Sequence, residues 1–179
     1  MTPADQSFLD AFPAWLKGLA ADARKLAELV EHDGATESVR RAAASSLNYL
    51  FKSLDLIPDG LEDIGFLDDA FVFRVAAVRV PEGDVGEDPS GIITRLRAET
   101  TLIQEFLGEV YPRLDAYVAE LEKAKVRGRV VGEILSDSDV RAEFVREARA
   151  WADGYQPPSF LRDDKNLVKL RSFLSAKLK

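Results

Sequence analysis

The chain has 179 residues, 46% of them apolar and 31% charged, and a formal charge of −7. That is enough chain for one self-supporting core, and the balance excludes wholesale disorder. The negative charge argues against general nucleic-acid binding, which is largely a cationic effect. The absence of cysteine excludes disulfides, thiolate nucleophiles and cysteine metal sites.

The first residues, Met1-Thr-Pro-Ala-Asp-Gln, lack a basic stretch followed by an apolar one, so no signal peptide is expected. No run reaches the roughly 20 apolar residues that span a bilayer. The most apolar window, Phe66 to Val80, is interrupted by Asp68, Asp69, Arg74 and Arg79. A cytoplasmic location and a bacterial source are the expectations.

Thr2-Pro3 predicts a helix cap and first helical residue. Phe8, Leu9 and Phe12 follow, and Pro13 is expected to restart a helix carrying Trp15, Leu16, Leu19, Leu26, Leu29 and Val30. Asp33-Gly34 should close it, with the glycine at the left-handed C′ position. Thr36 is the expected cap of a second helix, whose apolar face reads Val39, Ala43, Leu47, Leu50 and Leu54. Pro58 requires that helix to end before it.

An acidic turn follows. A third helix, from about Asp68 to Val80, is apolar almost all round, which predicts a central position. The β-branched content of Phe71-Val-Phe-Arg-Val75 leaves a strand open as the alternative. Pro81 to Ser90 reads as a loop. A long helical pattern starts at Ile92, and Pro112, which cannot bond the Gly108 carbonyl, predicts a kink or break. Val126 to Leu135 reads as a short helix. Ser136-Asp-Ser-Asp139 offers caps for a helix with Val140, Phe144, Ala148 and Trp151 on one face, ended by Gly154. The expected fold is all-α: a single-domain bundle of about seven helices with a central helical hairpin. Residues 1–154 form its body, and 155–179 form a connector plus a basic amphipathic helix.

The acidic turn is the chief candidate site. Asp55 to Asp69 contains six acids and no basic residue. Asp55, Asp59, Asp68 and Asp69 converge if the flanking helices run antiparallel, and such oxygen ligands suit Mg²⁺, Ca²⁺ or Mn²⁺. The competing and favoured expectation is structural. Asp68 and Asp69 stand where a helix begins, and acids there cap free N–H groups. Asp55 and Asp59 flank a proline turn, where aspartate bonds local backbone. The spacing does not follow the EF-hand order.

Asp55-Leu-Ile-Pro-Asp59 followed by Gly65-Phe-Leu-Asp-Asp69 resembles the motif of the DUF1232 (YkvA-like) family of small bacterial proteins, over about residues 41–80. The resemblance implies a helical hairpin of unknown biochemical role, often with a membrane-leaning apolar character. Two departures, Lys52-Ser53-Leu54 in place of Ser-Pro-Ile and the polar Gly60-Leu-Glu-Asp63, make this hairpin more polar and argue against insertion.

No catalytic constellation is recognisable, so an enzyme is not expected. His32 is the only histidine and stands near a helix end, where it suits the dipole. No Gly-rich phosphate loop is present. Lys123, Lys125, Arg127 and Arg129 alternate, and read as a solvated helix end. Lys165 to Lys179 carries five cations and no acid. Its Lys165, Lys169, Arg171, Phe173, Leu174 and Lys177 are the candidate partner-binding residues, although a basic helix of this kind also suits folding back onto an acidic body.

Three functions therefore stand as expectations. The first is a non-catalytic protein-interaction or regulatory adaptor with a protein partner. The second is a carboxylate-metal protein, possibly hydrolytic, with a divalent cation as its one cofactor. The third, less favoured, is peripheral attachment to a membrane surface.

Overall fold

A computed structural model describes residues 1–179 as eight α-helices and no strand. They are α1 (Pro3–Glu31), α2 (Glu37–Leu50), α3 (Leu67–Val78), α4 (Ile92–Leu107), α5 (Tyr111–Glu120), α6 (Val131–Ser136), α7 (Ser138–Gly154) and α8 (Asp164–Lys177). All except the six-residue α6 run for ten residues or more, so the expected all-α, seven-helix pattern holds. One apolar core draws side chains from every helix. No helix is long and apolar enough to cross a membrane.

Thr2 caps α1 through a reciprocal pair with Asp5: its hydroxyl accepts from the Asp5 N–H, and the Asp5 carboxylate accepts from the Thr2 N–H. Pro13 does not restart the helix as expected; α1 runs straight through it. Proline costs one backbone bond there, but Phe8, Leu9, Phe12, Trp15 and Leu16 are all buried around it, and that packing outweighs the loss. Nor does Gly34 close α1 in a left-handed turn. The helix ends at extended His32, and Gly34 keeps negative φ.

α3 takes the central place. Eleven of its twelve residues are buried, as an all-round apolar pattern dictates, and the strand alternative does not form. Its Phe71 meets Phe12 and Phe106 edge-on, at 5.2 and 6.1 Å between ring centroids, tying α3 to α1 and α4.

The expected interruption near Pro112 is a full break. Gly108 adopts φ 52°, and Pro112 sits in the first turn of α5, where its missing N–H has no cost. The helix expected from Val126 starts only at Val131. Arg127 and Gly128, at φ 49° and 79°, form a tight reversal closed by paired bonds between Val126 and Arg129.

The C-terminal helix folds back. Leu167, Leu170, Leu174 and Leu178 enter the common core, and the Arg171 Nε donates to the Phe106 carbonyl at 3.1 Å.

Candidate metal centre

The site is built where α2 hands over to α3. The pattern that placed Leu54 on the α2 face misleads: α2 stops at Leu50, and Leu54 is 81% exposed. The reason is Tyr49. Its buried hydroxyl accepts the Leu56 N–H at 2.9 Å, which pulls the chain back across the end of α2 and buries Leu56 and Ile57. A continued helix would carry Leu56 away from that oxygen. The same hydroxyl donates to Asp68 Oδ2 at 2.5 Å, and the Ile57 N–H donates to that oxygen at 3.2 Å.

The second half of the turn depends on Gly65. A Cβ there would stand 2.6 Å from the carbonyl oxygens of both Asp59 and Leu61, which are backbone atoms with little room to yield. The Gly65 N–H bonds the Leu61 carbonyl at 2.8 Å, and Phe66 follows in the left-handed region at φ 66°. This contracted path brings Asp59 over the start of α3.

There Asp59, Asp68 and Asp69 each present a carboxylate oxygen, all within 4.8 Å of one another. Asp55 is outside that trio, and its charge adds to the rise in the Asp69 pKa. Asp68 and Asp69 are 0% and 1% exposed, Asp55 is half-buried, and Asp59 stands at the exposed rim. One oxygen on each of Asp55, Asp68 and Asp69 is buried with no hydrogen-bond partner.

No lysine or arginine forms an ion pair with any of the four; the chain's ion pairs lie elsewhere. Lys52, the nearest cation in sequence, directs its ammonium to the Tyr117 hydroxyl at 2.7 Å. Burial is therefore not offset, and every carboxyl is pushed up. Burial, with the charges of Asp59 and Asp68, raises Asp55 to about 8. Burial raises Asp68 to about 6, against the opposing bonds from Tyr49 and Ile57. Asp69 is raised well above the usual carboxylate range by burial and its three acidic neighbours. Asp59 is raised by desolvation of its carboxyl.

The capping duty expected of Asp68 and Asp69 does not materialise. Phe66 precedes α3 and supplies no side-chain cap. Both acids lie in the first turn, where the dipole favours them, but Asp68 reaches back to the hairpin instead of up to its own helix. Of the four aspartates that sequence grouped, Asp59, Asp68 and Asp69 are brought together, and Asp55 stands beside the group with one buried oxygen that has no partner.

The candidate partner-binding residues are divided. Leu174 is fully buried in the protein's own core, and Phe173 is half-buried against it. Lys169 Nζ bonds both oxygens of Asp63 at 2.8 and 3.0 Å, linking α8 to the acidic turn. Arg171 lies over the Phe106 ring at 4.4 Å. Only Lys165 and Lys177 are exposed. His32 pairs with Glu87 at 2.8 Å, away from the acidic cluster. In the basic run around residue 127, Lys123, Lys125 and Arg127 are exposed beyond the end of α5, as expected of a solvated helix end, with Arg127 over the Phe51 ring at 4.6 Å; Arg129 departs from this, being buried and bonded to Glu147 at 2.5 Å.

Residues 39–74 match the model of a family described as a protein of unknown function, DUF1232. No curated protein and no solved structure matches the chain. The motif resemblance thus holds over a segment, and the DUF1232 segment contains Tyr49, Gly65 and all four aspartates. Sequence reasoning missed Tyr49 and the steric demand on Gly65. The run Ala42-Ala-Ala-Ser-Ser46 carries the usable signal, because small residues on every side of a helix mark close packing all round, and Tyr49 then has nowhere to go but inward.

Proposed function

We propose that this protein binds one divalent cation, such as Mg²⁺, Mn²⁺ or Ca²⁺, with Asp55, Asp59, Asp68 and Asp69. The single observation that carries the reading is the set of buried carboxylate oxygens with neither hydrogen-bond donor nor cationic side chain. Buried anions are costly unless paired, and hard oxygen ligands of this number suit such ions. The exposed rim at Asp59 gives an entry path and leaves room for water ligands.

The role we assign is to hold the hairpin between α2 and α3 in one shape, as a non-catalytic, regulatory or structural device. The full burial of Asp68 and Asp69 favours holding an ion over presenting it to a substrate. A cytoplasmic location belongs to the same proposal and is supported by the cysteine-free composition.

The test is titration of chelator-treated protein with Mn²⁺, Mg²⁺ and Ca²⁺, following the melting temperature and terbium luminescence sensitised by Tyr49. A cation that binds only the folded state raises the midpoint by mass action. A flat midpoint at millimolar concentrations of all three, with no sensitised emission, overturns the reading.

A further inference from the structure

Asp68 is not free to bind a cation in every way a carboxylate can. Its Oδ2 already accepts two bonds, from the Tyr49 hydroxyl at 2.5 Å and from the Ile57 N–H at 3.2 Å. The Tyr49 hydroxyl has one proton. The Leu56 N–H occupies one of its lone pairs at 2.9 Å, so the proton is directed to Asp68. The other oxygen, Oδ1, is buried and without a partner. Tyr49 itself is 1% exposed and Leu56 is 4% exposed, so water cannot readily replace either bond.

We infer that Tyr49 determines the cation specificity of the proposed site, by restricting Asp68 to coordination through Oδ1 alone and so favouring a small octahedral ion, Mn²⁺ or Mg²⁺, over Ca²⁺. This rests on the cation-binding reading above. The chemistry follows from ion size. Ca²⁺ takes about six to eight oxygens and commonly uses both oxygens of a carboxylate, whereas Mg²⁺ requires six in near-ideal octahedral order at about 2.0–2.1 Å. A carboxylate with one oxygen tied off supplies a single ligand at a fixed angle, and the exposed rim beside Asp59 leaves the remaining positions to water. Tyr49 acts through Asp68, so it is a positioning residue.

The experiment compares Mn²⁺ and Ca²⁺ affinities, by calorimetry on the full chain, for the wild type and Tyr49→Phe. The wild type is expected to prefer Mn²⁺. In Tyr49→Phe, Asp68 Oδ2 loses its strongest donor and becomes available, so the Mn²⁺:Ca²⁺ affinity ratio is expected to fall by about tenfold, the equivalent of one hydrogen bond. A merely structural tyrosine would weaken both ions together and leave the ratio unchanged; that result overturns the inference and leaves the cation site standing. A wild type that prefers Ca²⁺ overturns it equally. Should the variant fail to fold, the infrared carboxylate bands of the Mn²⁺-loaded wild type, assigned by subtracting Asp68→Asn, decide: single-oxygen coordination supports the inference, and two-oxygen coordination ends it. A wild type that binds neither ion removes both this inference and the function proposed above.

Discussion

The Arg74 guanidinium lies 3.9 Å from the centroid of the Trp15 ring, and both side chains belong to the core. The same guanidinium donates from Nε to Glu99 at 2.9 Å and from Nη1 to the Ala70 carbonyl at 2.9 Å, and stands 3.9 Å from Asp22. Burial lowers its pKa to about 10, held up by Glu99 and Asp22, so it stays charged at neutral pH. It thereby fixes α3, the helix that begins with Asp68 and Asp69, against α1 and α4.

Replacing Arg74 by alanine is expected to destabilise the protein by about 3 kcal/mol, because it leaves Glu99 and Asp22 short of a buried partner while Arg95 still pairs with both. Arg74→Lys should recover little of this, since an ammonium neither stacks on the indole nor forks between two groups. Urea unfolding of both variants measures it. A lysine variant as stable as the wild type would show that charge alone matters.

Gly65→Ala tests the turn. The added methyl meets two backbone oxygens at 2.6 Å, so the chain must move and carry Asp59 with it. A loss of about 2 kcal/mol is expected, within the range for backbone strain of this kind. A weaker response to divalent cation should accompany it. Gly60→Ala, where a Cβ meets nothing within 4 Å, is the control.

Most of the helical frame was legible in the chain. The all-round apolar segment did take the centre, and the Thr2 and Thr36 caps and the break before Pro112 follow from local chemistry. What escaped was set by tertiary bonds that no periodicity encodes. Leu54 fits the α2 face by spacing, yet the capture of the Leu56 N–H by Tyr49 turns the chain away first. Pro13 reads as punctuation, yet packing on both sides carries α1 through it. The four acids were found as a group, but their local sequence suggested caps. Only the path of the turn shows that Asp59, Asp68 and Asp69 face each other, since whether a carboxylate meets an N–H or another carboxylate is decided by atoms far apart in sequence.

Removing Lys165–Lys179 should be strongly destabilising. The segment buries four leucines in the common core, each contributing about 1.5–3 kcal/mol on transfer from water. Thermal unfolding of the truncated chain is expected at a much lower midpoint. A body that melts as the full chain does would mean that α8 is an appendage with its surface free for a partner.

Stability of the cation-free protein should fall as pH rises. Asp55 and Asp68 hold their protons up to about 8 and about 6 in the folded chain, above the 3.8 of an ordinary aspartate. A raised carboxyl binds its proton more tightly when folded, so its contribution is complete below pH 4 and is lost as pH climbs through the folded values. The melting temperature in chelator should therefore be lower at pH 8 than at pH 5.5, and divalent cation should close most of the gap. A midpoint that rises over that interval contradicts the assignment.

Asp69→Asn separates holding the fold from holding the ion. Asp69 is buried, carries an oxygen with no partner and has no cation to pair with. Asparagine keeps its shape, cannot ionise, and brings an N–H donor to the neighbouring carboxylates. In chelator at pH 8 the variant should be more stable than the wild type by about 1–3 kcal/mol, the cost of an unpaired buried polar group. The same substitution removes a ligand, so added Mn²⁺ should raise its melting temperature far less. The two changes have opposite sign, which a structural aspartate could not produce: losing a structural carboxylate lowers the cation-free midpoint. Asp63→Asn is the control, because Asp63 pairs with Lys169 and lies outside the cluster. It should cost under about 1 kcal/mol and leave the cation response intact.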